Sequence, residues 1–237
     1  MDQQMAQSQK DAKKNWDKVY SERFMTMWYP NEDIIRFCSR LIKKRLTHDK
    51  YESKRDVERV LDLGCGNGRH AMYFASQGFE AAGIDVSAQA IDWASEWATR
   101  EGMEIDFRVG DIENLPFESH SFDAVVSHGV LDHVPMQVAR RGAEEVNRVL
   151  KAGGLFYCDL RSTDDFEYGV GEPAGPNTFV VSDGYEKGLV QHFFSPQDVE
   201  ALFDGLFRIL YSEITERRLG PDFQRKYSRW VFATEAL

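Results

Sequence analysis

Cysteine is scarce, no apolar run is long, and positive charge is in deficit; each shortage closes a class of function. Cys38, Cys65 and Cys158 are odd in number and far apart, and the chain has no C-x-x-C and no Cys/His cluster. That spacing indicates neither a disulfide framework nor a zinc site. Buried free thiols are the expectation, with no metal. No apolar stretch approaches the roughly 20 residues that cross a bilayer. The polar opening MDQQMAQSQKDAKKNW lacks the apolar centre of an export signal, so a cytoplasmic protein with no membrane partner is expected. Lys and Arg number 29 against 39 Asp and Glu, a net charge of −10, which repels a phosphate backbone at long range and makes nucleic acid an unlikely partner. One segment runs the other way. Between Arg36 and Arg59 nine Lys/Arg face four Asp/Glu around RLIKKRL, where a solvated helix face is the plain reading and an acidic partner the alternative. Internal repeats and low-complexity linkers are also absent.

What the chain does have is a core. It holds 237 residues, 42% hydrophobic and 13% aromatic, enough for one large domain, with nothing to indicate oligomeric state. From residue 57 onward strands and helices alternate. Strands are read at Val57 to Leu63, Glu80 to Asp85, Glu104 to Val109, Phe122 to Ser127 and Gly154 to Leu160, with helices at Arg69 to Gln77, Ser87 to Arg100 and Pro135 to Leu150. Such an order makes a parallel sheet with helices on both faces. Ser87 suits a helix cap, Gly78 and Gly102 suit C-terminal left-handed turns, and Pro135 suits a first helical turn. In the third helix Ala139, Ala143, Val146 and Leu150 form the inward stripe, with Arg140–Glu144 and Arg141–Glu145 as outward pairs. Residues 161 to 194 break the rhythm, and the Asp183-Gly184 turn between apolar stretches predicts an inserted hairpin that could act as a lid. A short helix from Ser195-Pro196 to Phe203 and strands at Phe207 to Ile214 and Tyr227 to Thr234 complete the chain, the last two antiparallel.

Three glycines stand in five positions of VLDLGCGNGRH, after a parallel strand and before a helix. There the backbone can approach a ligand closely and free amides face it. Asp85 follows at the end of the next strand, 21 residues after Gly64, where a carboxylate can accept from both hydroxyls of a ribose. Asp111, in GDIENLPF, closes the next strand beside the same crevice and can accept from an adenine amino group. Alone, a glycine turn is often merely tight and a strand-end Asp merely a cap. In this order they describe a nucleoside-bearing ligand.

These stretches, with SFDAVVSHGVLDHV and VLKAGGLFYCDL, resemble the class I S-adenosylmethionine-dependent methyltransferases, of the methyltransferase type 11-like kind, over about residues 57 to 160. The resemblance implies an α/β fold: a Rossmann-like doubly wound, mostly parallel seven-stranded sheet with one antiparallel edge strand and helices on both faces. It divides a single domain into an N-terminal helical cap (1–50), a cofactor-binding core (57–160), a hairpin insertion or lid (161–194) and a C-terminal helix with strands (195–237). The cofactor implied is S-adenosyl-L-methionine, with S-adenosyl-L-homocysteine as product. Asp62, Gly64, Gly66, Asn67 and Gly68 are then expected around the methionine part, Asp85 and Val86 at the ribose, and Asp111 and Ile112 at the adenine. Ser127 and His128 are also expected to bind the cofactor, and the loop from His128 to His133 to border the sulfonium and the acceptor.

A dinucleotide oxidoreductase is the rival reading, because an Asp after the second strand suits NAD equally well. The G-x-G-x-x-G fingerprint is not met: the third glycine, Gly68, falls one residue early and Arg69 stands in its place. The carboxylates of Asp62 and Asp85 also suit a cationic ligand better than a pyrophosphate. A noncatalytic cofactor-binding module is a third possibility. Methyl transfer from a sulfonium needs alignment more than chemistry, but a hydroxyl or thiol acceptor must lose a proton, commonly to histidine. His133 and His192 are the candidates, each with a structural alternative: a hydrogen-bonded loop residue before Pro135, and a satisfied core histidine. In the head, Trp16, Tyr20, Phe24, Trp28 and Tyr29 read as a helical packing stripe, and the resemblance implies an N-terminal segment that closes over the cofactor, with Tyr20 as its contact. The acidic charge favours a small-molecule acceptor, methylated at O, N or S, over the protein or RNA acceptors also known in the family.

Overall fold

A computed structural model describes residues 13–22 and 27–237. Phe24, one member of the expected aromatic stripe, lies outside the described residues. A helix over 13–21 (α1) comes first among the described residues, followed by α2 (Glu32–Phe37), a π-helical turn (Cys38–Ile42) and the short strands β1 (Lys43–Arg45) and β2 (Tyr51–Ser53). The alternating core runs β3 (Arg59–Leu63), α3 (Arg69–Ser76), β4 (Glu80–Asp85), α4 (Ala88–Arg100), β5 (Asp106–Val109), β6 (Phe122–His128), α5 (Met136–Val149) and β7 (Leu150–Arg161). Then come β8 (Glu172–Gly175), β9 (Thr178–Val180), β10 (Val190–His192), α6 (Pro196–Phe203), β11 (Phe207–Leu219) and β12 (Arg225–Ala236).

The main sheet has seven strands in the order β11-β12-β7-β6-β3-β4-β5. Strands β3 to β7 pair in parallel, while β12 runs antiparallel to β7 and to β11 and so lies one place in from the sheet's margin. The chain winds outward from β3 through β4 to β5, then returns to the other side of β3 as β6. That reversal opens a crevice at the carboxyl ends of the strands, where doubly wound sheets take their ligands.

Burial on both faces explains why the strands read as nearly unbroken apolar runs. Successive residues alternate between two cores. Leu61, Val125, Phe156 and Cys158 join the side covered by α5 and α6, whereas Val60, Ala124, Val126 and Tyr157 join the side covered by α2 and α3. Helix ends follow local chemistry: the Ser87 side chain accepts from Ala90 N at the start of α4, and Ser195 with Asp198 forms a capping box on α6. All three cysteines are buried and free.

Four local expectations are corrected. The basic segment is no helix face: it passes through the π-helical turn into the β1–β2 hairpin, so residues 1–50 are not purely helical. Trp28 and Tyr29 lie outside any helix and so are not part of a helical stripe, Trp28 edge-on against Trp97 and Tyr29 exposed. The Arg141–Glu145 pair gives way to Arg141 on Glu113, while Glu145 holds Arg148 and the amide of Leu115. The inserted hairpin gains a third strand, β8, in the order β10-β9-β8.

Candidate active site

The glycine turn is built by backbone geometry that side chains resist. Gly64, Gly66 and Gly68 all have positive φ, at +64°, +54° and +84°. The space beside each is taken by protein. A Cβ on Gly64 would stand 2.3 Å from Val130 Cγ2, one on Gly66 2.4 Å from Tyr20 Oη, and one on Gly68 2.8 Å from Phe107 Cζ. Gly64 and Gly66 therefore let the loop after β6 and helix α1 close on the turn, while Gly68 starts α3 and packs against β5.

Two adjoining cavities occupy the crevice. The first, about 450 Å³, is lined by Gly64, Asp85, Val86, Asp111 and Ile112, with further apolar walls from Val130, Val138 and Leu189. The second, about 460 Å³, is more polar and is lined by Gly66, Asn67, Arg69, His128, Asp159 and Arg229, with Tyr185 and Glu186 from the insertion. Trp16, Tyr20, Gly64, Gly129 and His133 line both and mark the junction.

Asp85 ends β4 with both oxygens oriented by backbone: Oδ2 accepts from Gly66 N and Oδ1 from Ser87 N, each at 2.9 Å. Burial pushes its carboxyl up to about 6, against the pull of those two amides and with added repulsion from Asp62 and Asp17. Asp111 accepts from Glu113 N at 3.0 Å. Helix α1 lies over the junction. Ser87 Oγ donates to Asp17 at 2.6 Å, Asn15 Nδ2 donates to Gly188 O at 3.0 Å, and Trp16 meets the His133 ring edge-on at 5.2 Å. Burial, then Asp85, raises the Tyr20 hydroxyl well above its ordinary range, so it is a neutral donor beside that carboxyl.

Several residues sit elsewhere than expected. Asp62 lines neither cavity; its Oδ2 accepts from Ala71 N at 3.1 Å and anchors α3 from behind. Gly68 and Ser127 are likewise outside both linings, the Ser127 hydroxyl buried in β6. His192 is corrected from catalytic candidate to core residue: it is 1% exposed, contacts Thr178 Oγ1 at 2.8 Å and packs on Phe194. Burial lowers its pKa and keeps it neutral.

Sequence reading missed the charged floor of the second cavity. Arg229 donates to Asp159 at 2.7 Å and to Asp132 at 2.8 Å, and Arg161 reaches Asp132 at 3.6 Å. Burial works to raise both carboxyls, but Arg229 overcomes it and holds them below their usual range, with His128 helping at Asp159. A charged residue inside the apolar strand LFYCDLR was the available signal, since a buried charge needs a partner.

The residues fit a cationic nucleoside: a carboxylate with spare lone pairs at Asp85, an apolar slot beside Asp111, and a turn without side chains between them. A strand-turn-helix site of this kind at a sheet's switch point defines a Rossmann-like nucleoside-binding domain. Residues 60–154 match the family model of the methyltransferase domain. A ubiquinone biosynthesis O-methyltransferase of Nitrosococcus oceani is 28% identical over 223 residues, 87% of this chain and 90% of that protein. A sarcosine/dimethylglycine N-methyltransferase of Aphanothece halophytica is 35% identical over 148 residues, 61% of this chain and 52% of that protein. The chain spans about half the length or less of several other curated relatives it matches. Among solved structures, a SAM-dependent methyltransferase from Methanosarcina mazei superposes with a TM-score of 0.65 at 26% identity, covering 77% of this chain and 94% of the other. Residues 60–154 thus carry a methyltransferase domain, and the chain is similar to the class I S-adenosylmethionine-dependent methyltransferases.

Proposed function

We propose that the protein is an enzyme that transfers the methyl group of S-adenosylmethionine to an O, N or S atom of a small molecule. The observation that carries this reading is the pair of cavities meeting at Gly64, Gly129 and His133, one suited to a nucleoside and one polar. Bound in the first, S-adenosylmethionine supplies a methyl group activated by its sulfonium, and S-adenosylhomocysteine is the product. Asp85 accepts the ribose hydroxyls beside Val86, Asp111 accepts from the adenine amino group, and Ile112 packs on the ring. Gly64, Gly66 and Asn67 border the methionine part. Trp16 and Tyr20 of α1 cover the junction and keep water from it, and the second cavity orients the acceptor behind the methyl.

Three points support a small acceptor. The second cavity is of drug-like size and is bordered by α1 and by the insertion at Tyr185 and Glu186. The net charge of −10 disfavours RNA. The two curated relatives are named for O-methylation in ubiquinone biosynthesis and N-methylation of sarcosine and dimethylglycine. The test is release of S-adenosylhomocysteine, read by mass spectrometry, with panels of small alcohols, phenols, amines and thiols, and with peptides and RNA. Turnover is expected on the small molecules. Turnover on peptides or RNA alone would overturn the acceptor class, and cofactor binding with no turnover on any panel would favour the noncatalytic module.

A further inference from the structure

We infer that His128 is the general base of the second cavity and that the acceptor is a hydroxyl or thiol which surrenders its proton to Nε2. This deepens the methyltransferase reading and rests on it. Two independent contacts settle which ring nitrogen bears hydrogen. Nδ1 is buried and lies 3.1 Å from Asp159 Oδ2, within ion-pair distance though out of line for a hydrogen bond; a carboxylate can only accept, so beside it the proton belongs on Nδ1. On the other side Nε2 lies 3.3 Å from Asn31 Nδ2. The orientation of that amide is itself fixed, because Asn31 Oδ1 accepts from Asp33 N at 2.7 Å as the cap of α2. An NH2 group turned toward Nε2 requires a lone pair there. The contacts thus place hydrogen on Nδ1 of His128 and turn the Nε2 lone pair away from Asp159.

Position and surroundings agree with that role. His128 ends β6 and lines the second cavity; its side chain is 19% exposed while Nδ1 is shielded, so the accessible part is the opposite side of the ring. At 3.3 Å the Asn31 contact is long for a hydrogen bond, one an acceptor hydroxyl can replace. Every charged or titratable neighbour fits. Asp159 stays ionised because Arg229 grips it, Gly129 N donates to its other oxygen at 2.9 Å, and it faces the imidazolium that would form. His70, edge-on at 5.5 Å from α3, is kept neutral by burial beside Asp62. Arg69 of α3 and Asp33 of α2 line the same cavity farther round its wall. His133, by contrast, has no carboxylate within ion-pair distance of either ring nitrogen among the described residues, and its ring meets Trp16 edge-on.

In the step, the acceptor's X–H bond breaks and its electron pair forms the bond from X to the methyl carbon. The carbon–sulfur pair departs on sulfur, and the proton goes to Nε2 and thence to water. Two measurements test this. In 15N-histidine spectra, assigned by comparison with His128→Gln, His128 should show a protonated Nδ1 and an unprotonated Nε2; a protonated Nε2 in the neutral ring would overturn the proposal. With catechol and thiophenol as acceptor probes, His128→Gln should lower S-adenosylhomocysteine release by about 100-fold or more while calorimetric affinity for S-adenosylhomocysteine stays at the wild-type value. Equal turnover in the variant, or wild-type turnover on N,N-dimethylaniline alone, which has no proton to give, would overturn it. Failure of the wild type to bind S-adenosylhomocysteine defeats the methyltransferase reading instead.

Discussion

Burial lifts the Asp85 carboxyl to about 6 from the 3.8 of an unstrained aspartate, against the amides of Gly66 and Ser87. Between those values the folded chain holds the extra proton, so the associated stability is present in full below about pH 4 and is lost as pH rises through about 6. Asp85→Asn removes that titration but keeps one carbonyl for the two amides. The variant is expected to melt within about 1 kcal/mol of the wild type at pH 7.5 and to lose relative stability on acidification, as followed by calorimetric melts from pH 4 to 8. Its affinity for S-adenosylhomocysteine should fall at least 10-fold by titration calorimetry, the worth of about one hydrogen bond to a charged group. Wild-type affinity should weaken below about pH 6. Asp85 and Asp111 were legible because a strand-end position follows from the period-2 pattern alone. The occupants of the glycine turn were not: Val130, Tyr20 and Phe107 arrive from elements 39 or more residues away, which no local pattern encodes. For the same reason Asp62 looked like a ligand contact and is an anchor for α3.

Helix α1 is held to the core by a few polar contacts, Asp17 to Ser87 and Asn15 to Gly188, and by Trp16 and Tyr20 over the two cavities. Such an element has modest local stability and tightens when a ligand supplies more surface. Deleting residues 1–22 is expected to leave the melting transition cooperative and to weaken S-adenosylhomocysteine by about tenfold or more; unchanged affinity would show that α1 does not cover the cofactor. The helices and parallel strands were readable because their apolar spacing is strong and the ends of α3, α4 and α6 carry a cap or a glycine. The β1–β2 hairpin, the strand β8 and the end of β11 beyond Ile214 were not, since they are charged or exposed ribbons defined by backbone pairing. In β8, EPAG buries nothing.

At the scale of the whole molecule, Asp132, Asp159 with Arg161, and Arg229 come from three distant segments to make one buried ionic floor. Removing its central cation leaves Asp132 facing only Arg161 at 3.6 Å, and Asp159 only His128 and the Gly129 amide. Arg229→Met should therefore cost about 3–5 kcal/mol and lower the melting temperature by roughly 10 °C; a shift of 1 °C or less would mean that the floor is not held by charge. The doubly wound sheet placed that floor, the glycine turn and the α1 cover around one crevice, and the claim for the crevice is that it holds a cationic nucleoside. The most direct measurement is a thermal-shift comparison with S-adenosylmethionine, S-adenosylhomocysteine and NADH. At 100 times its dissociation constant a ligand of the folded state adds about 2.7 kcal/mol, so the first two should each raise the melting temperature by roughly 5–10 °C and NADH should not. Stabilisation by NADH, or by none of the three, would contradict the account.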